Sequence, residues 1–500
     1  MYRTFLLLSL SLLFTQCQQL QEEDLNDTFL ENRFNQPNDF ILAAGKAYER
    51  LGQYTNLFGT YYLQGIQTDE MIMPGRGPNA SSFPPFFIEL HLHEMTSANT
   101  LMEANISLPY AGIEVCNERI ALFEQQDPAI AAPFIAEMRV LRALFYTWLM
   151  DIFGNVGLHT TTERFTTSTQ VARSELFRFI EQEILESLDA LPKTIGGEGY
   201  AKINYYTAQA LLAQLYLNAE VYTGTPNYDA AQAACDAIIS DGGYQLEADY
   251  FANFKVDNQN SQEIIFAIPF DEGFMNDFQL HLHTLHPSSR TTYNFSSSAF
   301  LPGNLISTTP EFYALFSDDD LRGAGFIAGP QFGQDGLPLL DFTDGDRDPD
   351  GSQINFTPSI LSITDALQQD GVRIGKFEFE EGASTGLNND FPLFRYAEIL
   401  LNKAEALWRK NPSDAVALEL VNQVRARAGL GPFEALTAEN LLAERGRELA
   451  FEGKRRADMI RFGTFGEARG FKAFSEPCRT LAPIPLSVIF QSAWQQNPCY

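Results

Sequence analysis

Apolar residues recur at intervals of three and four along most of both halves of this chain, and a stripe of that period is buried only when helices pack on one another. The segments that carry it are Asp39 to Gly52, Leu108 to Gln125, Ala129 to Phe153, Ser174 to Leu191, Asn204 to Tyr222 and Tyr228 to Ser240, then Arg395 to Lys410, Pro412 to Gly429 and Thr437 to Phe462. Residues 245 to 390 break the pattern. They are rich in Gly, Asp, Asn, Ser, Phe and Pro, with short runs such as "EIIFAIPF" and "RIGKFEFE", and read as loops and short strands. An irregular stretch of that size inside one domain usually carries function. The expected class is therefore mainly α: one domain over residues 39 to 500, with a helical scaffold at 39 to 244 and 391 to 500 and a loop-rich, partly β insertion at about 245 to 390.

Two helix pairs within the scaffold share a layout. Ala208, Leu212, Leu215, Tyr216 and Ala219 precede a turn at Pro226 and a second helix with Ala230, Ala234 and Ile238. Likewise Leu400, Ala404 and Leu407 precede Asn411 and Pro412 and a helix with Ala415, Leu418 and Val421. Small residues alternating with large ones at this spacing resemble tetratricopeptide repeats, whose alanines let paired helices approach closely.

The amino-terminal run from Phe5 to Phe14, behind Arg3, falls well short of the roughly 20 apolar residues that cross a hydrocarbon core. It reads as an export signal over residues 1 to 16. Phe14, Thr15 and Gln16 before Cys17 resemble a bacterial lipobox, with Gln16 standing where a small residue is usual. Cys17 is thus expected to carry lipid and residues 17 to 38 to form the anchored segment. One acyl chain holds a protein only marginally, whereas two or three hold it durably. Glu22, Glu23 and Asp24 resemble the acidic signal of lipoproteins exposed on the cell surface.

A formal charge of −30 excludes nucleic acid as a partner, because phosphate binding needs a basic surface. Cys116 and Cys235 fall in helical segments and read as buried thiols. Cys478 and Cys499 flank the loop-rich carboxyl end and are the candidate disulfide.

Ordered motifs then narrow the reading. "FRYAEILLNKAEALWR", "ERGRELAFEGKRRADMIRFG" and "LAPIPLSVIFQSAWQQNPCY" resemble the SusD/RagB family of Bacteroidetes nutrient-binding lipoproteins. So do "AEMRVLRALFYTWLMDIFGNVGL", with Gly157 in place of the usual Pro, "NSQEIIFAIPF", "FYALFSDDDLR" and "GKFEFE" before Asp390, Phe391 and Pro392. The resemblance implies a SusD-like fold with a tetratricopeptide-like scaffold, whose loop-bearing face binds an oligosaccharide or other small nutrient. It also implies a partner, a SusC-like TonB-dependent transporter in the outer membrane, a membrane link through the lipid anchor only, and no enzymatic activity. The alternatives are a structural lid on the transporter that binds nothing, or a glycoside hydrolase.

A sugar site needs a flat apolar face beside planar polar groups that satisfy hydroxyls. Candidates are Tyr61, Tyr62, Asp69 and Arg76 in the loop expected after the first helix, Phe86 with its neighbours Phe83 and Phe87, and Tyr293, Asn294 and Phe295 in the irregular block. Ile106 stands four residues before Tyr110 where the family often has Trp, which removes one stacking platform. A hydrolase would need two carboxyls flanking a bond, and in a chain with 64 acids such pairs arise by chance. Histidines alternate in "HLHE" (His91, His93) and "HLHTLH" (His281, His283, His286), a spacing that puts them on one face of a strand. Asp344, Asp346, Asp348 and Asp350, with Gly351, follow the opening of a calcium loop, although Thr357 replaces its closing Glu. Glu444 with Arg447, and Arg445 with Glu448, are spaced to pair on a helix surface.

Overall fold

The periodic segments fold as helices whose ends fall where capping residues stand. A computed structural model describes residue 34 and residues 36 to 500, apart from 78 to 83, 164, 166, 167, 242, 272, 296 to 300, 344 to 347 and 384. The expected signal peptide, Cys17 and the acidic cluster after it lie outside the described residues.

The amino-terminal half forms α1 (Pro37–Glu49), α2 (Thr60–Ile66), α3 (Pro84–Leu92), α4 (Thr100–Phe123), α5 (Pro128–Phe153), α6 (Arg173–Leu185), α7 (Tyr205–Leu217), α8 (Ala219–Thr223) and α9 (Tyr228–Asp241). Asn99 and Asp127 start α4 and α5 by accepting the amides of Leu101 and Ala129, which satisfies donors that a first helical turn leaves open. Gly112 lets α4 and α5 approach closely: a Cβ there would lie 2.5 Å from the Phe145 ring. Helices then stack in order, α4 on α5, α5 on α6, α6 on α7 and α7 on α9. A short antiparallel ladder, β1 (Val156–Gly157) with β2 (Gln170–Val171), joins α5 to α6.

The irregular block leaves the scaffold through β3 (Ile264–Ile268) and returns through β8 (Phe391–Arg395), two buried strands paired antiparallel with Ile268 opposite Phe391 and Ile264 opposite Arg395. The excursion is thus closed at its base. It holds α10 (Leu280–Thr284), α11 (Arg290–Tyr293), α12 (Pro310–Tyr313) and the pairs β4 (Phe326–Ile327) with β7 (Arg373–Ile374) and β5 (Gly329–Pro330) with β6 (Asn355–Phe356). Directly after β8 the chain enters α13 (Tyr396–Lys410), which packs on α9 and on α14 (Ala415–Arg427). Buried Ala208, Ala231, Ala234, Ala404 and Ala417 lie in these helices. The scaffold is mainly helical and tetratricopeptide-like, as the spacing of small residues predicts.

The helix expected from Thr437 to Phe462 is two: α15 (Ala438–Glu448) and α16 (Arg455–Arg461), followed later by α17 (Leu486–Gln491). Phe451 and Gly453 between α15 and α16 take left-handed backbone, φ 59° and 71°, which no helix continues through. A side chain at 453 would strike the Tyr54 hydroxyl, 2.2 Å from its Cβ. Near the end of the chain Cys478 and Cys499 are joined in a disulfide, and Cys116 and Cys235 are free and buried.

The Glu/Arg block is interior rather than surface, which corrects the expected surface pairs. Glu444 does hold Arg447, at 2.5 Å, but Arg445 turns to Asp458 at 2.9 Å. Glu448 is taken by Arg395 at 2.6 Å and Arg322 at 3.0 Å, and by Arg427. All these acids are buried, so each depends on its partners rather than on water. The histidines are also corrected, since they sit in α3 and α10 or just beyond them, not on strands. His91 faces the Ile66 carbonyl at 3.2 Å, His93 bonds Ser475 Oγ at 2.9 Å and stacks on Phe465, and His283 bonds the Tyr62 hydroxyl at 2.8 Å. Burial pushes His91 down to about 4 and His283 to about 3, so both are neutral near pH 7.

Candidate functional site

The described residues between 329 and 356 form a small arm whose alternation separates two faces. Leu339, Ile354 and Phe356 turn inward to a local apolar cluster, while Leu340 and Phe342 turn outward, the period of two that an extended chain imposes. Phe332 (47% exposed), Leu337 (63%) and Phe342 (67%) leave large apolar side chains in solvent on this arm.

The arm is fastened to the segment around α11. Ser288 Oγ donates to the Leu340 carbonyl at 2.8 Å and Thr292 Oγ1 to the Phe332 carbonyl at 2.8 Å. His286 Nε2 lies 3.3 Å from Asp341 Oδ1, both buried. Burial outweighs the aspartate and lowers His286 to about 4, so near neutral pH the contact is a hydrogen bond from a neutral ring to a carboxylate. Asp341 Oδ2 is buried and has no hydrogen-bond partner among the described residues.

Between arm and segment lies an open groove of about 390 Å³, lined by His286, Pro287, Ser288, Arg290, Leu301, Phe342 and Thr343. Arg290 is the one lysine or arginine between Lys255 and Arg322. It is exposed, and its guanidinium makes no hydrogen bond or ion pair among the described residues. In a chain so rich in acids, a solvent-facing arginine with no partner among the described residues, in one groove with an outward phenylalanine, is a candidate ligand contact. A planar donor, an aromatic face and two hydroxyls are the groups a pyranose ring engages.

Of the residues singled out from sequence, Tyr293, Asn294 and Phe295 lie at the end of α11, next to this groove in the chain. The Tyr293 and Phe295 rings stack 5.4 Å apart at 12° and are half-buried, and Asn294 is exposed with φ 49°. The other candidates are elsewhere. Tyr61 and Tyr62 are not in a loop but in α2, fully buried, with hydroxyls spent on the Phe451 carbonyl and His283. Arg76 is interior as well, donating to the carbonyls of Leu367, Asn304, Leu305 and Asp370 and to Ser307 Oγ. With every donor engaged it has none to offer a ligand. Asp69 is clamped by Arg455, at 2.8 and 2.7 Å. Phe86 is half-buried on α3, Phe87 is core, and Phe83 lies outside the described residues.

Asp344 and Asp346 also lie outside the described residues, Asp348 accepts the Gln368 amide at 2.8 Å, and Asp350 is exposed. Among the described residues no group of three or more His, Cys, Asp or Glu is placed to hold a metal. Arg290 and Phe342 were missed from sequence. Their signals were a lone arginine in an acidic stretch and the in-out alternation of Leu339 to Phe342.

Comparison with known proteins defines the class. Residues 364–488 match the model of the SusD family. The starch-binding protein SusD of Bacteroides thetaiotaomicron is 28% identical over 366 residues, 66% of this chain and 64% of that protein, so the match spans just under two thirds of its length. The SusD-like protein P38 of Formosa agariphila is 24% identical over 375 residues, 69% of each chain. Among solved structures, a laminarin-binding SusD-like protein superposes with a TM-score of 0.74 at 22% identity, covering 93% of this chain and 99% of that one. Surface glycan-binding protein A from Bacteroides thetaiotaomicron, in complex with laminarihexaose, gives 0.73 at 21% identity, covering 92% and 99%. The resemblance to the SusD/RagB family holds: the matched segment is a SusD-family segment and the fold is the SusD-like fold.

Proposed function

We propose that this protein is a cell-surface receptor that binds a glycan or related nutrient in the groove beside Arg290 and Phe342 and hands it to a SusC-like TonB-dependent transporter, while lipid on Cys17 tethers it to the outer membrane. The observation that carries the reading is the exposed Arg290, unpaired among the described residues and lining one groove with outward Phe342 and Leu301. Relatives named for starch and laminarin binding support the ligand class. In keeping with a lipid tether, no helix among the described residues is long and apolar enough to cross a membrane. Binding rests on stacking and hydrogen bonds, with no bond made or broken in the ligand.

Calorimetry of the purified protein against neutral and acidic oligosaccharides, laminarihexaose and maltohexaose among them, tests this. At least one is expected to saturate, and Phe342→Ala or Arg290→Ala to weaken it about tenfold, the worth of a stacking face or a charged hydrogen bond. Unchanged affinity in both variants removes the groove from the mechanism. Absence of any saturable glycan at millimolar concentration leaves only the structural lid.

A further inference from the structure

A second concavity, of about 200 Å³, lies between α1, α5 and the loop from 192 to 204. Its walls are apolar: Ile41 of α1, Pro133 and Phe134 of α5, and Pro192. Phe134 is held by stacking on buried Phe40, with ring centroids 4.9 Å apart at 15°. The loop rim is fixed as well, since Asn204 Nδ2 donates to the Thr194 carbonyl at 3.1 Å and the Tyr205 amide to the Pro192 carbonyl at 3.0 Å.

Glu137 stands one helical turn after Pro133, on the same face of α5, and lines this cavity with only 8% of its surface exposed. Tyr48 of α1 donates its hydroxyl to Glu137 Oε1 and accepts the Ile203 amide at 2.8 Å, which fixes the carboxyl. Oε2 takes no hydrogen bond among the described residues and keeps contact with solvent. A nearly buried carboxylate oxygen without a partner calls for one. Burial raises this carboxyl from 4.5 to about 7 against the pull of Tyr48 and Lys202, because the charge it would carry touches no cation.

Two further charges face the cavity. Lys202 is half-buried and Glu198 exposed, and neither side chain makes a hydrogen bond or ion pair among the described residues. Lys202 acts on Glu137 only through charge. These groups decide the ligand class. An anion meets two carboxyls and a simple cation meets Lys202, whereas a zwitterion gives each its counterpart. The walls then require an apolar body beside the two charges. The volume lies below the roughly 300 to 1,000 Å³ of pockets for drug-sized ligands, room for one amino acid and not for a peptide.

We infer that this cavity binds a free α-amino acid with an apolar side chain, its ammonium on Glu137 Oε2, its carboxylate on Lys202 and its side chain against Ile41, Phe134 and Pro192. None of the residues of the Arg290 groove takes part, so this inference and the receptor reading stand or fall separately. Saturation-transfer NMR and calorimetry on the full protein test it with leucine, methionine and phenylalanine. Each is compared with its amide, which lacks the carboxylate, and its N-acetyl derivative, which lacks the ammonium.

At least one amino acid is expected to bind with a Kd of about 1 mM or tighter, and its amide and N-acetyl forms at least about tenfold more weakly, the worth of a charged hydrogen bond. The preference over the amide is expected to fall about tenfold in Lys202→Ala, and the preference over the N-acetyl form to fall likewise in Glu137→Gln, which keeps an acceptor for Tyr48. Melting curves check that both variants fold, and the ligand series on the unaltered protein decides the matter even where one does not. No binding of any of the three at about 10 mM refutes the site. An amide that binds as tightly as its amino acid makes this a cation site and overturns the zwitterion, and an N-acetyl form that does so removes Glu137. Preferences unchanged in Lys202→Ala place the ligand elsewhere and refute the cavity.

Discussion

Replacing Arg395 by alanine is expected to lower the unfolding free energy by about 3 to 5 kcal/mol, the cost of removing one member of a buried ionic cluster. Arg395 ends β8, the strand that closes the irregular excursion and runs directly into α13. Its five N–H donors are all engaged: with Glu452 Oε2 at 2.7 Å, Glu452 Oε1 at 2.7 Å, Glu263 Oε1 at 2.6 Å, Glu448 Oε1 at 2.6 Å and the Glu448 carbonyl at 2.6 Å. One side chain therefore ties the strand base, α15 and the turn after α15 together. Burial by itself would raise the Glu448 carboxyl, yet the guanidiniums of Arg427, Arg395 and Arg322 hold it well below the usual carboxylate range. Removing Arg395 strips hydrogen bonds from three buried acids, of which Glu452 keeps Lys376 and Glu263 keeps Arg427. Arg395→Lys restores the charge without the planar fork and is expected to recover less than half of the loss. Urea unfolding followed by circular dichroism measures both. A loss below about 1 kcal/mol, the level of an exposed ion pair, would show that the cluster does not hold the excursion to the scaffold.

That cluster also marks the limit of what the chain's order reveals. The long helices α1, α4 to α7, α9, α13 and α14 were legible because their apolar stripes and caps are local, and α9 runs over Tyr228–Asp241 almost as the period predicts, whereas the short α2, α3, α10, α11 and α12 were read as loops or strands. The division of the last long helix was not legible, since what stops it is tertiary: Tyr54 lies against Gly453, and Glu70 accepts the Phe451 amide. Spacing showed that Glu444 and Arg447 are neighbours, but not that Arg322 and Arg395 arrive from distant segments to bury the whole set. For the site, the irregular block was located by composition, and Tyr293 to Phe295 were noted as aromatics within it. Tyr61, Tyr62 and Arg76 have the chemistry of ligand contacts and none of the exposure, a property that depends on how the excursion folds back over α2. Arg290 stood out only once it was seen to have no acidic partner among the described residues.

Glu70 gives the other large expected effect, because it is a buried acid that the cluster does not neutralise. Its Oε1 accepts the Phe451 amide, and Oε2 has no hydrogen-bond partner among the described residues. Burial is the dominant influence, raising the group from 4.5 to about 8 against the lowering effect of the Phe451 amide and of Arg455 and Lys376. A folded pKa above the unfolded one means that its stabilising contribution is complete below about 4.5 and is lost as pH rises toward 8, at up to roughly 1.4 kcal/mol per pH unit. Buried His91, His283 and His286 act in the opposite direction, their folded pKa values of about 4, 3 and 4 removing stability as pH falls below 6.5. The parent's own profile therefore mixes the two trends, and only a difference isolates Glu70. Glu70→Gln keeps an oxygen for the Phe451 amide and cannot ionise. Relative to the parent it is expected to gain on the order of 3 to 5 kcal/mol between about pH 5 and about pH 9, read as melting curves that separate progressively with pH. Parallel melting profiles for parent and variant across that range would mean that Glu70 keeps an ordinary carboxylate pKa, and that the turn joining α15 to α16 is solvated rather than sealed.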